Sequence, residues 1–209
     1  DTIRDAFILV TLVVFLFLGD WRSTVIPVIA VPISLVGAFF VLALFGMSIN
    51  LITLFAVVLA IGIVVVDAIV VVEAVHFNME KDPSLTPYAA TQKAMGELGS
   101  AILAITMVMI SVFVPIAFIP GPVGVFYRQF SFTMSSAILI SALVALTLTP
   151  VLCAMFLKNH AGHKHSRNLL QWLISRFNAL FEVLTSVYMW VLNRIVTQKI
   201  MCLGVILLF

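Results

Sequence analysis

Residues 51–75 read LITLFAVVLAIGIVVVDAIVVVEAV, and within them only Asp67 and Glu73 carry a charge. A helix crosses the hydrocarbon core of a bilayer with about 20 mostly apolar residues. A helix that is apolar on every side is buried in lipid or in the core of a large protein. The stretch therefore predicts a membrane-spanning helix with one carboxylate, Asp67, deep inside it.

The composition of the whole chain supports a membrane protein. Hydrophobic residues make up 63% of the 209 residues and charged residues only 10%. Soluble domains contain about 25% charged residues, because water must solvate their surface. The sequence therefore predicts an all-α membrane protein, a polytopic transmembrane helix bundle whose solvent is the lipid bilayer. The net charge of +2 gives no indication of a nucleic-acid partner.

Further apolar runs flank the central stretch and predict a transmembrane bundle over 1–157. With the central stretch, the five predicted spans are about 4–18, 25–45, 51–75, 101–119 and 130–157. Thr86 and Pro87 predict the N-cap and first turn of a short helix that ends near Gly99. The chain begins without Met and ends in another apolar run, 199–209, which predicts the truncated start of a sixth helix. Both ends thus indicate a piece of a longer protein.

Segment 158–198 has the pattern of an amphipathic helix in a cytoplasmic linker. Its apolar residues recur with helical spacing, at Leu169, Leu173, Phe177, Leu180, Leu184, Val187, Val191 and Ile195. A one-sided apolar stripe is typical of a helix that lies in the membrane interface, and packing on a further soluble domain is the alternative. His160, His163 and His165 suggest either a metal site or, more simply, a solvated loop.

Basic residues predict the orientation of the bundle. Between the last two apolar runs lie Lys158, Lys164, Arg167, Arg176, Arg194 and Lys199. Loops rich in Lys and Arg face the cytoplasm. The linker is therefore predicted to be cytoplasmic, and the helix over 51–75 to run from outside to inside.

Asp67 is the residue whose chemistry needs an explanation. A charge at the bilayer centre costs at least about 2.5–3.5 kcal/mol, so such residues are usually functional. Thr53, Ala56, Ala60 and Ala74 fall on its side of a helix, and small residues let another helix approach closely. Removal from water favours the neutral form of a carboxyl group, which predicts a proton relay. The alternative is an aspartate that stays neutral and only packs.

Glu73 has a simpler interpretation. It lies six residues after Asp67, about 240° around the helix. We interpret it as a residue at the membrane boundary, where its carboxylate reaches the headgroups.

Five motifs occur in an order that resembles a known family. They are IPVIAVP at 26–32, FGMSIN at 45–50, DAIVVVE at 67–73, YRQFS at 127–131 and LTPVLCA at 148–154. Together they resemble the inner-membrane pump of the resistance–nodulation–division superfamily, in its hydrophobe/amphiphile multidrug efflux branch. The resemblance implies helices two to six, the linker helix and the start of helix seven. It also implies proton-motive-force-driven antiport, with Asp67 as the proton-relay carboxylate.

The same resemblance implies partners and a location. A pump of this kind works as a homotrimer in the bacterial inner membrane, with a periplasmic adaptor and an outer-membrane channel. The remaining half of the pump would supply the lysine that pairs with the carboxylates. Substrates bind in periplasmic regions that these 209 residues do not contain, so the substrate and its binding residues stay unknown.

One departure keeps other functions open. Multidrug members usually carry two adjacent aspartates, whereas here Val66 precedes Asp67. Metal exporters of the superfamily often keep a single carboxylate nearby. A metal-exporting or secretion-accessory relative, or an inactive structural fragment, therefore remain alternatives. No nucleophile, base and orienting group occur together, so we expect no enzyme activity. No metal or cofactor is expected either.

Overall fold

The computed structural model describes residues 2–158, 176, 181 and 183–194. In residues 2–158 it contains five α-helices and no strand. They are α1 Thr2–Leu18, α2 Trp21–Leu44, α3 Leu51–Lys81, α4 Pro87–Ile116 and α5 Pro122–Phe156. The helices α2 to α5 are long and apolar enough to cross a membrane, whereas α1 has 17 residues. The predicted all-α membrane fold is confirmed.

A second compact unit covers 163–209, and within it residues 183–194 are helical. Most of the predicted amphipathic segment lies outside the described residues. The three linker histidines and the predicted start of a sixth helix, 199–209, lie outside them as well. The linker and the truncated helix therefore stay predictions.

Short connections make successive helices antiparallel. We call the end with residues 18–21, 81–87 and 156 the near end of the bundle, and the end with residues 44–51 and 116–122 the far end. Hydrogen bonds between distant residues agree with this arrangement. Ser23 pairs with His76 at the near end, and the Asn50 side chain donates to the Gln129 side chain at the far end. Consequently α3 and α5 run in the same direction.

The helices α3 and α5 form the centre of the bundle. Among the described helices, α3 packs against the other four, and α5 packs against α2, α3 and α4. Ala38, Ala56, Ala60 and Ala137 are fully buried in one cluster with Met134. Small residues on three helices let the backbones approach closely, as is common in membrane bundles. The centre therefore has no space for bulkier side chains at these positions.

Polar caps define the helix ends. Asn50 accepts from the backbone N–H groups of Ile52 and Thr53, while the Thr53 hydroxyl accepts from the Asn50 N–H, which is a capping box. At the end of α2, Gly46 adopts φ +65°, and the Met47 N–H bonds to the Leu42 carbonyl at 3.0 Å. This is the Schellman arrangement, for which glycine has the right conformational freedom. The loop 45–50 is thus determined locally.

The observed helices differ from the predicted spans mainly in length. Thr86 caps α4 and Pro87 occupies its first turn, as predicted. The helix does not end near Gly99, however, but continues to Ile116, because a single glycine weakens a helix without terminating it. Likewise α3 extends beyond Val75, since no residue before Asp82 interrupts it.

Candidate functional site

The carboxylate of Asp67 lies against α5 in the middle of the bundle. It is partly buried, and its Oδ2 accepts a hydrogen bond of 2.6 Å from the hydroxyl of Ser141. Ser141 is 2% exposed, and its hydroxyl also lies 3.3 Å from the Val64 carbonyl oxygen. Hydrogen bonds to an ionised acceptor are shorter and stronger than neutral ones. The contact therefore connects the one carboxylate in the centre of α3 to a neighbouring helix.

The small residues predicted to share the side of Asp67 are indeed buried. Thr53, Ala56 and Ala60 are each 0% exposed, and Ala74 is partly buried. They allow α2 and α5 to approach α3 along this side. Asp67 consequently contacts protein, as the sequence pattern predicts.

A cavity of about 240 Å³ adjoins the other side of the carboxylate. It lies between α3, α4 and α5 and is partly open. Its lining is apolar except at Asp67 and Thr106. The Thr106 hydroxyl donates to the Ile102 carbonyl of its own helix at 2.7 Å. Among the described residues that line this cavity, Asp67 is therefore the only one with an ionisable side chain.

Val66 and Glu73 are placed differently from Asp67. Val66 is 53% exposed and lines the same cavity, so an acidic side chain at this position would adjoin that of Asp67. Glu73 is exposed, and no described residue is recorded as its partner in a hydrogen bond or ion pair. The interpretation of Glu73 as a boundary residue stays a prediction.

Sequence reasoning did not single out Ser141. A serine is common in transmembrane helices, and helical spacing shows which residues share a side but not which helix lies opposite. Only the packing of α5 on α3 identifies Ser141 as the partner of Asp67.

In the described part of the chain, no group of three or more His, Cys, Asp or Glu side chains is placed to hold a metal ion. The His160, His163 and His165 motif lies outside it.

Comparisons with known proteins give a consistent result. The model of the AcrB/AcrD/AcrF family matches residues 1–209. Multidrug resistance protein MdtF of Escherichia coli strain K12 is 47% identical over 187 residues, which is 90% of this chain. Multidrug export protein AcrF of the same strain is 48% identical over 183 residues, or 87% of this chain. Toluene efflux pump membrane transporter TtgE of Pseudomonas putida is 46% identical over 183 residues, also 87% of this chain.

The chain spans only 17–18% of the length of these three relatives. The likeness therefore covers most of this chain and a small part of each relative.

Proposed function

The chain belongs to the AcrB/AcrD/AcrF family, and on this premise we propose that it forms part of the membrane domain of a proton-driven efflux pump. In this proposal Asp67 takes up and releases the proton that drives export. The hydrogen bond between Asp67 and Ser141 is the observation that carries the proposal.

The position of Asp67 suits proton transfer. The carboxylate lies in the middle of a long apolar helix, where an unused charge is expensive. One side of it touches Ser141, and the other adjoins a partly open cavity. One elementary charge that crosses a potential of 100 mV releases about 2.3 kcal/mol. A single protonation site can therefore supply useful work in each cycle.

Protonation of Asp67 would change the contact between α3 and α5. A serine hydroxyl has one proton to donate, and here two acceptors lie within reach, at 2.6 Å on Asp67 and 3.3 Å on Val64. When Asp67 is ionised, the hydroxyl donates to the carboxylate. When Asp67 is protonated, it can donate to Ser141, whose own proton is then free for the Val64 carbonyl. The reversal of this hydrogen bond would couple the proton to the packing of the two helices.

Substrates and partners are proposed from the relatives. The names of these relatives describe the export of multiple drugs and of toluene. We expect this pump to export small, largely apolar organic compounds from a bacterial inner membrane. We also expect that this chain and the remaining half of the pump together form one subunit of a homotrimer. The homotrimer would work with a periplasmic adaptor and an outer-membrane channel.

Asp67→Asn in the complete transporter tests the proposal. Asparagine has nearly the same size and keeps hydrogen-bonding groups, but it cannot exchange a proton. We expect export of ethidium under a proton gradient to fall by at least about 100-fold, with normal expression and assembly. Thr106→Val is the matched control, because Thr106 lines the same cavity but bonds to its own helix.

Export by the Asp67→Asn pump at the wild-type rate would show that Asp67 only packs. Equal losses in both variants would indicate that the cavity, rather than the carboxylate, is what matters.

A further inference from the structure

A second polar cluster joins α2 to α3 at the near end of the bundle. The Oγ atom of Ser23 lies 2.6 Å from Nε2 of His76 and donates to Oδ2 of Asp20 at 3.1 Å. Ser23 is 0% exposed, whereas Asp20 and His76 are partly buried. Asp20 also caps α2 by accepting from the Ser23 N–H at 3.3 Å. The hydroxyl thus lies between an imidazole and a carboxylate.

These three groups can together receive a proton from water and pass it on. Histidine is the side chain that ordinarily changes charge between pH 5 and 8. A hydroxyl both donates and accepts, so Ser23 can transmit a proton between His76 and Asp20. Partial burial leaves the outer side of the cluster in reach of water, while Ser23 lies inside the bundle.

One member of the cluster, His76, lies on the same helix as Asp67. His76 follows Asp67 by nine residues, which is about 14 Å along α3. The basic residues of the described helix ends and loops favour the near end as the cytoplasmic one. Those at the near end are Arg22, Lys81, Lys93 and Lys158, and those at the far end are Arg4 and Arg128. The cluster therefore lies between Asp67 and the cytoplasmic end of the bundle, toward which protons move when they enter the cell.

Two buried hydroxyls lie along the same part of the bundle. Ser34 on α2 and Thr149 on α5 are each 0% exposed, and their hydroxyl oxygens have no hydrogen-bond partner among the described residues. A buried polar group without a partner is rare and calls for an explanation. The rise along α2 from Ser23 places Ser34 at about the level of Asp67. The rise along α5 from Ser141 places Thr149 at about the level of His76.

The layer between those two levels is apolar and closely packed. Ala30 and Ala68 are buried near the level of Asp67, and Ile26 and Val72 are fully buried closer to the level of His76. A route for protons between the two levels therefore requires movements of α2, α3 and α5 that admit water.

We propose that Asp20, Ser23 and His76 form the port through which Asp67 exchanges its proton with water at the near end. This inference rests on the proposed function of Asp67. The proton leaves the Asp67 carboxyl group and passes through transient water and the hydroxyls of Ser34 and Thr149 to His76. From His76 it passes to the aqueous phase. No bond other than O–H and N–H bonds forms or breaks. His76 and Asp20 return to their starting protonation states when the proton leaves.

Other ionisable groups occupy the elements around His76 and supply the controls. In the described residues they include Glu73, Glu80 and Lys81 on α3, Arg22 on α2, and Lys93 and Glu97 on α4. The recorded hydrogen-bond partner of His76 is Ser23. Glu73 is exposed and lies one turn from His76 on the same helix, which makes it the matched control.

Proton flux in vesicles tests the port. The complete transporter is reconstituted with pyranine inside the vesicles, and ethidium starts the coupled flux. His76→Gln keeps a hydrogen-bonding side chain beside Ser23 but carries no proton, so we expect the flux to fall roughly 10- to 100-fold. Glu73→Gln should stay within about twofold of the wild type. His76→Ala with added imidazole should regain flux, which a merely structural histidine would not show.

Asp67→Asn is measured in the same vesicles to separate the two proposals. Loss of flux in Asp67→Asn together with wild-type flux in His76→Gln would overturn the port and leave the role of Asp67 intact. Wild-type flux in Asp67→Asn would instead overturn the proposed function. If His76→Gln fails to assemble, Ser23→Ala replaces it. In that variant a several-fold loss supports the port, and unchanged flux overturns it.

Discussion

The helices α3 and α4 have nearly the same length, 31 and 30 residues, and both are apolar enough to cross a membrane. Their surroundings nevertheless differ sharply. In the most apolar part of α3, 50% of the residues are buried, against 11% in α4. The central helix contains Asp67, and the peripheral helix has apolar side chains exposed along its membrane part. Both helices are thus apolar enough to span a membrane, although their positions in the bundle differ.

The difference follows from side-chain size. Thr53, Ala56 and Ala60 let α3 approach its neighbours, so that its polar groups find partners. In α4, the bulky residues Leu103, Met107 and Val108 are more than half exposed. Lipid solvates such a surface without any partner helix. An apolar stretch long enough to span a membrane therefore does not show which helix is central, whereas the burial of small residues in α3 does.

The largest effect that we expect from this contrast is on stability. Ala60→Leu inserts a branched side chain into the fully buried cluster with Ala38 and Met134, and overpacking of this kind costs about 1–3 kcal/mol. Ala104→Leu adds the same atoms on an exposed position of α4 and should change little. Thermal unfolding of the detergent-solubilised transporter compares the two variants. Equal destabilisation would mean that α4 is as tightly packed as α3.

The next effect concerns the partner of Asp67. Ser141→Ala removes the hydrogen bond to the Asp67 carboxyl group. A hydrogen bond to a charged group is worth about 1.5–3 kcal/mol, so proton-driven export should fall at least about tenfold. The control is Thr147→Val on the same helix, because Thr147 is exposed and donates to the Leu143 carbonyl of α5. Ethidium export measures both variants, and an unaffected Ser141→Ala pump would contradict the coupling of α3 to α5.

Val66→Asp should have a modest and opposite effect. The new carboxylate would stand beside Asp67 at the rim of the same cavity, where Val66 is already half exposed. Export should stay at the wild-type rate or rise. A marked loss in ethidium export would show that this membrane domain cannot accommodate a second acidic group.

The smallest effect concerns the loop between α3 and α4. The Ser84 hydroxyl donates to the carboxylate of Asp82, and the Ser84 backbone N–H donates to it as well. Both bonds, the hydroxyl's more than the backbone's, lower the pKa of this exposed carboxyl group. A carboxyl group whose pKa is lowered by folding stabilises the folded state at pH values above its unfolded pKa, about 3.9. This stabilisation is lost as the pH falls through the pKa of the folded state. Ser84→Ala should therefore raise the pKa of Asp82 in an NMR titration while export at neutral pH is unchanged. An unchanged pKa would mean that the hydroxyl is not what holds it down.

Much of the fold could be predicted from the sequence because it depends on local properties. The spans follow from runs of apolar residues, and the cap of α4 follows from Thr86 and Pro87. The side of α3 that contacts protein follows from helical spacing around Asp67. The prediction that the helix ends near Gly99 was wrong, because the neighbouring turns decide whether a glycine ends a helix.

Partners across helices could not be predicted in the same way. Ser141 and Val64, and likewise Ser23 and His76, are more than 50 residues apart in the chain. No spacing rule connects residues at such separations, since the contact depends on how the helices rotate and slide against each other.

The amino-acid sequence by itself therefore determined that this protein is surrounded by lipid, the order of its apolar runs, and the presence of one carboxylate, Asp67, deep inside an apolar helix. These properties depend on transfer free energy and helical periodicity, which act within one segment. The tertiary structure alone decided which hydroxyl binds Asp67, which helix lies at the centre, and that Asp20, Ser23 and His76 meet. Those contacts depend on close packing between helices, where a shift of a few ångströms makes or removes a hydrogen bond.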